Sequence, residues 1–235
     1  MKKLLIFLIA GFILIAGCVS KPSGGGSMKV GNVTISWAGH STFVIEGEKV
    51  IYTDPYVMPS NPKKADLILI THDHYDHCDV GKVRQIQKAD TVIVTTPDCA
   101  SKLSGNIKII KPGQNLTVDS VRIRAIPAYN INKSFHPKSN NWVGFVFTVS
   151  GTTFYIAGDT DFIPEMKGLK PDVAMLPIGG TYTMNIDEAV KATLAIEPKT
   201  VIPMHYNTFN GIEADPQEFK EKVNDKNPSI KVEIL

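Results

Sequence analysis

Three histidines and two aspartates fall within one short segment that directly follows an apolar run. The run covers residues 67–70 (LILI), and residues 71–77 read THDHYDH. An apolar run that ends in a polar stretch is typical of a buried strand followed by a loop, so we expect these polar side chains at a rigid edge of the fold. His72 and His74 are two positions apart and therefore share one face of an extended chain.

This residue set indicates metal binding. Imidazole nitrogens and carboxylate oxygens are common ligands of zinc and similar divalent ions. The alternative is a solvated turn that happens to be rich in histidine, which a lone histidine would favour but three histidines and two aspartates do not. The segment offers four donors that are too crowded for one tetrahedral ion and suit two ions: His72, His74, Asp76 and His77.

The segment resembles the HxHxDH motif of the metallo-β-lactamase fold, and four further segments agree with that family in order. They are residues 37–42 (WAGHST), 53–55 (TDP), 157–160 (AGDT) and 203–206 (PMHY). The first of them resembles the GHST segment of the lactonase-like and uncharacterised metal-dependent hydrolase branch. The resemblance extends from about Val33 to Tyr206, which is nearly all of the expected domain.

The resemblance implies an α/β fold, a four-layer αββα sandwich of two similar halves with the metal ions at one edge of the sheets. It also implies two divalent ions as cofactors, with zinc expected and manganese or iron as alternatives. The ligands that it implies are His72 and His74 for the first ion, Asp76, His77 and His205 for the second, and Asp159 as a bridge between the two.

The motifs leave the identity of one ligand of the first ion open. His136 is the only histidine between the DH and GDT segments, and the resemblance gives it this role. Its surroundings depart from the family pattern, in which the histidine sits just after a strand, near the position of Asn130 here. A loop histidine that contacts substrate is the alternative.

Two further residues carry expected roles outside the ligand set. His40 either lines the site as a catalytic contact to substrate or developing charge, or forms a hydrogen bond within the fold. Asp54 resembles a family residue that accepts a hydrogen bond from a ligand imidazole and fixes its tautomer. A turn-capping aspartate is the alternative for Asp54.

The implied reaction is hydrolysis. A hydroxide held between two ions attacks a carbonyl or phosphoryl centre, and Asp76 orients this nucleophile or takes its proton. The bond stays open between lactone, phosphodiester and amide. Gly179 and Gly180 precede a segment in which Tyr182 or Met184 forms a pocket wall, unless it is only a turn into a helix. A non-catalytic metal-binding lipoprotein is the alternative function.

The N-terminus resembles the signal peptide of a prokaryotic lipoprotein. Two lysines precede an apolar run over residues 4–16, which is too short to span a bilayer comfortably. Residues 15–18 read IAGC and resemble a lipobox, so residues 1–17 are the expected leader and Cys18 the lipidation site. Residues 18–28 form the expected tether and residues 29–235 the domain, held on the outer face of the cell membrane. An uncleaved anchor or an ordinary signal peptide is the alternative.

Charge and cysteine content limit the partners. Lysine and arginine total 25 against 23 acidic residues, and the counts become equal without the two lysines of the leader. We therefore expect a small-molecule substrate, no nucleic acid, and membrane contact only through the lipid, with the oligomeric state open. Cys78 is expected as a buried thiol, with pairing to Cys99 as the alternative in an oxidising compartment.

Alternating and apolar patterns predict a fold with more strands than helices. The predicted strands are residues 33–37, 42–45, 50–53, 67–71, 91–95, 121–126, 142–149, 153–157, 173–177 and 201–204. The predicted helices are residues 80–89, residues 186–196 and a last one that opens at Asp215, which is followed by proline at the first helical position.

Overall fold

The computed structural model describes residues 25–235, which form two seven-stranded sheets. The predicted signal peptide, Cys18 and most of the predicted tether lie outside the described residues. The first sheet contains β1 (Ser27–Val30), β2 (Val33–Gly39), β3 (Thr42–Glu46), β4 (Val50–Thr53), β5 (Leu67–Leu69), β6 (Val92–Thr95) and β7 (Asn106–Ile109). The second contains β8 (Asn115–Val118), β9 (Val121–Pro127), β10 (Val143–Val149), β11 (Thr152–Ile156), β12 (Val173–Pro177), β13 (Thr200–Met204) and β14 (Lys231–Val232).

The two sheets share one topology. In each, the first four strands pair antiparallel and the last four pair parallel, with the fourth strand common to both groups. The parallel strands β5, β12 and β13 are buried along their whole length, as expected for strands covered on both faces. The chain therefore consists of two similar halves.

Helices cover the outer faces of the sheets. They are α1 (Val80–Ile86), α2 (Pro97–Ala100), α3 (Ile186–Ile196) and α4 (Pro216–Lys226). Val83 and Ile86 of α1 pack on the first sheet in a smaller cluster, whereas α3 and α4 contribute to the large core that also fills the space between the sheets. This is the predicted four-layer α/β sandwich, and that prediction is confirmed.

Local sequence explains where the helices begin. The Asp79 side chain accepts hydrogen bonds from Gly81 N and Lys82 N at the start of α1. Asn185 and Glu188 form a capping box at the start of α3. The Asp215 side chain accepts a hydrogen bond from Gln217 N ahead of α4, as its sequence predicts.

Several boundaries differ from the sequence predictions. Strands β1, β7, β8 and β14 and the one-turn helix α2 were not predicted, because they are short and carry weak apolar patterns. Strand β1 begins at Ser27, inside the segment predicted as tether, and pairs with β2. Helix α1 ends at Ile86 and not at residue 89. Among residues 25–235, no helix combines the length and apolar character that crossing a membrane requires.

Cys78 is buried as expected, but the expected thiol is wrong, because Cys78 forms a disulfide bond with Cys99, the alternative considered above. Cys78 follows His77 directly, and Cys99 lies in α2. The bond therefore ties the histidine-rich loop to the helix that follows the next strand.

Candidate metal centre

The predicted metal-site residues, with the exception of His136, follow strands that end at the same edge of the two sheets. His40 follows β2, Asp54 follows β4, and residues 72–77 follow β5. In the second sheet, Asp159 follows β11 and His205 follows β13. Each of these strands runs in the same direction within its sheet, so the topology alone gathers the side chains at one edge. His136 lies farther along the connection between β9 and β10.

Backbone conformation at these strand ends is unusual. His40, Asp54 and His205 all have positive φ angles, of 55°, 36° and 54°. Non-glycine residues adopt this region rarely, and such strain concentrates at functional sites. Gly158, with φ 65°, is required just before Asp159, because a Cβ there would lie 3.0 Å from the Thr71 Cβ.

The structure brings the residues predicted for the first ion together. His72, His74 and His136 each offer a ring nitrogen within 4.8 Å of the other two. His72 Nε2 and His74 Nδ1 are 3.2 Å apart. The unusual position of His136 in its loop therefore does not remove it from the cluster.

The residues predicted for the second ion form an adjoining group. Asp76, His77 and His205 offer ligand atoms within 4.8 Å of one another, and His40 belongs to the same group. All six histidines of the chain thus lie in these two groups. Each group takes at least one member from either half of the protein, since His136 and His205 belong to the second half.

Asp159 lies between the two groups. Its Oδ2 is 3.3 Å from His136 Nε2 and 3.1 Å from His205 Nε2. Its Oδ1 is 3.3 Å from His77 Nε2. The carboxylate thus faces nitrogens of both groups, as the predicted bridge requires.

These atoms fit the requirements of a metal site. Four of them are buried and have no hydrogen-bond partner: the Nε2 atoms of His77, His136 and His205, and Asp159 Oδ1. Leaving such atoms unpaired is costly unless something else binds them. Two ligand atoms on one tetrahedral ion at 2.0–2.1 Å are about 3.3 Å apart. The separations of 3.1–3.3 Å between these donors match that value.

Asp54 controls the orientation of two imidazoles. Its Oδ2 accepts hydrogen bonds from His77 Nδ1 and Thr71 Oγ1, each over 2.8 Å. Because the Thr71 hydroxyl gives its proton to Asp54, it accepts from His72 Nδ1 at 2.9 Å. Both rings therefore carry their proton on Nδ1 and leave the Nε2 lone pair for a ligand role. Asp54 Oδ1 accepts from Thr71 N.

His40 is fully buried and does not line the cavity described below. Its Nε2 lies 3.0 Å from Asp76 Oδ2. Burial, helped by the nearby His205 ring, lowers the pKa of His40 to about 4, so the ring is neutral at pH 7 and donates to the carboxylate. Of the two roles considered for His40, hydrogen bonding within the fold matches this position.

The charges of the cluster favour neutral His72 and His74 rings beside ionised carboxylates, whereas the pKa of His77 is raised well above its usual value because Asp159 and Asp54 outweigh the effect of burial. Burial lowers the pKa of His72 and of His74, so both present free lone pairs at neutral pH. Burial acts to raise the pKa of Asp76, but the His40 hydrogen bond and nearby His77 outweigh it and lower that pKa to about 2. Burial likewise opposes ionisation of Asp159, yet the surrounding His205 and His77 keep its pKa well below the usual value.

A cavity of about 250 Å³ opens onto this cluster. The polar part of its lining consists of side chains of the metal cluster, and the remaining lining residues are phenylalanines and tyrosines. The polar residues are His74, Asp76, His136, Asp159 and His205. Of the two residues considered for a pocket wall, Tyr182 lines the cavity, whereas Met184 is fully buried in the core.

Sequence reasoning missed the residues that hold the His136 loop. Lys133 Nζ donates to Asp161 Oδ1 over 2.5 Å, and Asp161 in turn accepts from the Asn130 side chain at 3.0 Å. Asn130 was noted only as a position where the family has its histidine. The signal that could have found Asp161 is its place directly after the AGDT segment.

Comparison with known proteins identifies related sequences that include metal-dependent hydrolases. Residues 34–205 match the family model of the β-lactamase superfamily domain. A UPF0173 metal-dependent hydrolase of Pyrococcus abyssi is 39% identical over 212 residues, which cover 83% of this chain and 93% of the relative.

Two solved structures extend the comparison. A protein from Parabacteroides distasonis superposes with a TM-score of 0.77 at 35% identity, over 89% of this chain and 97% of that one. A metallo hydrolase from Ignicoccus hospitalis has a TM-score of 0.71 at 32% identity, over 86% and 94% of the two chains.

Proposed function

Since the chain belongs to the metallo-β-lactamase superfamily and is a metal-dependent hydrolase, we propose that its buried cluster holds two divalent ions and cleaves a bond at a carbonyl or phosphoryl centre. The observation that carries this proposal is the position of Asp159. Its two oxygens each lie 3.1–3.3 Å from imidazole nitrogens that have no other partner, and these nitrogens belong to both ligand groups.

The ligand roles follow from the two groups. In this proposal the first ion is held by His72, His74 and His136, the second by Asp76, His77 and His205, and both by Asp159. Mixed imidazole and carboxylate donors suit zinc, and they also accept manganese or iron. When bound, a pair of divalent ions supplies a nucleophile at neutral pH and polarises the oxygen of the bond to be cleaved.

The protein's own residues orient the reacting groups. Asp76 lines the cavity, and His40 binds its Oδ2, which leaves Oδ1 for a contact with the attacking water. Because the pKa of Asp76 is about 2, this carboxylate is ionised at neutral pH and accepts a hydrogen bond. We therefore favour orientation of the nucleophile over proton uptake as its role, with His40 as a positioning residue for Asp76.

The proposed setting is the outer face of the cell membrane. The lipobox-like IAGC segment carries this proposal, with Cys18 as the lipid attachment site and the glycine-rich tether as a spacer. The expected substrate is a small molecule. Labelling of cells with an alkyne fatty acid tests the anchor, and a Cys18→Ser variant that still incorporates the label would contradict it.

Metal content and turnover test the catalytic proposal together. The full chain is purified, its bound metals are measured, and it is loaded with zinc or manganese before a screen of 4-nitrophenyl esters, lactones and bis(4-nitrophenyl) phosphate. We expect about two ions per chain and metal-dependent hydrolysis in the unmodified protein.

Two variants and a control complete this test. His74→Ala and Asp159→Asn should lose ions and turnover, whereas Asp119→Asn, at an exposed aspartate, should retain both. Two tightly bound ions without turnover of any substrate class would favour the non-catalytic metal-binding lipoprotein.

A further inference from the structure

Aromatic rings form the outer part of the cavity above the metal cluster. Tyr75, Phe135, Tyr182 and Phe209 line it, and they come from four separate loops. Phe135 contacts Tyr182 edge to face, with ring centroids 4.7 Å apart. Tyr75 makes a similar contact with Tyr56 over 5.9 Å. The rim of the cavity therefore consists of aromatic rings, of which Phe135 packs against Tyr182 and Tyr75 packs against the neighbouring Tyr56.

Two of these rings, Tyr75 and Phe135, are unusually exposed. Among residues 25–235, four large apolar side chains are exposed: Tyr75 (68%), Ile131 (55%), Ile109 (54%) and Phe135 (45%). Two of the four line the cavity, and Ile131 lies in the same loop as Phe135. Apolar side chains gathered in the open around a cleft mark a binding surface more often than chance exposure does.

The cavity lining offers no side chain suited to an anion. Within the described part of the chain, its walls contain neither lysine nor arginine. The neighbouring cations are already paired, since Lys133 binds Asp161 and Lys102 binds Asp73. Sites that select phosphate or carboxylate groups usually provide an arginine or lysine for the charge.

We propose that this cleft selects an uncharged substrate, an ester, lactone or amide whose apolar group packs against Phe135 and Tyr75, over an anionic phosphodiester. This inference rests on the proposed function for the position of the scissile bond. It adds the class of substrate, which the ligand cluster alone leaves open. An apolar group gains affinity at the rim by removing exposed ring surface from water.

A matched pair of ligands tests the proposal without requiring turnover. 4-Nitrobenzyl alcohol and 4-nitrobenzenesulfonate share one ring, differ in charge and contain no bond for a hydrolase to cleave. Their binding to the zinc-loaded full chain is measured by equilibrium dialysis, with the absorbance of the nitro group as readout. We expect the neutral alcohol to bind more tightly than the sulfonate.

Variants then place the binding at the rim. Phe135→Ala and Tyr75→Ala should each weaken binding of the alcohol about two- to tenfold, the range expected for loss of one aromatic contact. Ile109→Ala is the matched control, because Ile109 is similarly exposed but lies on β7 and does not line the cavity. All three side chains protrude into solvent enough that thermal melting should show unchanged folding.

The outcomes separate the two proposals. Tighter binding of the sulfonate, or alcohol binding that the rim variants leave unchanged, overturns the choice of an uncharged substrate. If the alcohol binds at the rim while the metal-loaded protein hydrolyses none of the screened bonds, the inference about the ligand stands and the proposed catalytic function fails. Higher KM for neutral esters in the rim variants, with little change in kcat, supports both.

Discussion

Asn130 Oδ1 accepts two hydrogen bonds from His136, one from its backbone N–H and one from ring Nδ1, each over 3.0 Å. A backbone N–H can only donate, so this atom is the oxygen of the amide, and its nitrogen donates to Asp161 and to the Tyr182 carbonyl. His136 therefore carries its proton on Nδ1 and presents the Nε2 lone pair toward Asp159. The Asn130 side-chain amide thus fixes both the conformation of the His136 loop and the tautomer of the His136 ring.

Replacing the Asn130 amide should weaken binding of the first ion. In Asn130→Leu the ring loses its acceptor and turns more freely, so we expect affinity for one of the two ions to fall about 10- to 100-fold. Chelator competition with metal analysis measures it, and Asn115→Leu, at an exposed asparagine of β8, serves as control. Unchanged affinity for both ions would contradict the role given to Asn130.

The substitution Asp54→Asn is expected to change which nitrogen of the His77 ring carries the proton. If the new amide oxygen still accepts from Thr71 N, its NH₂ group faces His77 Nδ1, which must then accept a hydrogen bond. The His77 proton moves to Nε2, the atom needed for the metal, and the Thr71–His72 contact is disturbed as well.

We expect Asp54→Asn to lower the affinity of the second ion about 10- to 100-fold. Folding should be retained, because asparagine tolerates the positive φ at this position. Cobalt substitution and visible spectroscopy would report the altered ligand field. Spectra identical to those of the unmodified protein would show that Asp54 does not control the ligand tautomer.

Low pH should destabilise the metal-free protein, because protonation of His40 favours the unfolded chain. Its folded pKa of about 4 lies below the unfolded value of 6.5, so the unfolded chain binds the proton more tightly. The unfolding free energy therefore falls as pH decreases from about 6.5 to 4, and His40 contributes on the order of 3 kcal/mol to this loss.

Comparison with His40→Gln isolates this contribution. Burial lowers the pKa values of His72 and His74, which therefore act in the same direction as His40. Burial acts to lower the pKa of His77 as well, but Asp159 and Asp54 outweigh it and raise that pKa, so His77 acts in the opposite direction. In urea unfolding with chelator present, the variant should show the weaker pH dependence. A parallel pH profile for the two proteins would refute the assignment.

The disulfide should contribute to the stability of the folded protein. It closes a loop with a sequence separation of 21, for which chain entropy gives about 3 kcal/mol. A reducing agent should lower the unfolding free energy by that order in urea titrations. The Cys78→Ser/Cys99→Ser double variant is the control, since it should begin at the lower stability and show no response to reductant.

The motifs allowed most of the site to be predicted, because their chemistry is local. The histidine-rich segment follows β5 directly, and the resemblance predicted Asp159 and His205 as further members of the cluster, which is where the structure places them. Their roles as metal ligands stay predictions. His136 could be placed by its being the only histidine in its interval. In each case the sequence itself limited the choice to one or two residues.

What could not be predicted depends on contacts between distant segments. Asp161 and the Tyr182 carbonyl meet Asn130, and Asp161 also meets Lys133, only because the second sheet brings these loops together. Similarly, Cys78 and Cys99 meet because β6 returns the chain beside the histidine-rich loop. The edge strands β1 and β8 were missed because half-exposed edges carry little apolar pattern.

The division of ligands between the two sheets has a consequence for assembly of the protein. Residues before β8 supply His72, His74, Asp76 and His77, whereas later residues supply His136, Asp159 and His205. In the proposed arrangement neither half alone contains a complete coordination sphere, so ions that bind as proposed would join the halves much as a crosslink does. Fragments split between β7 and β8 should accordingly reassociate more strongly when zinc is added.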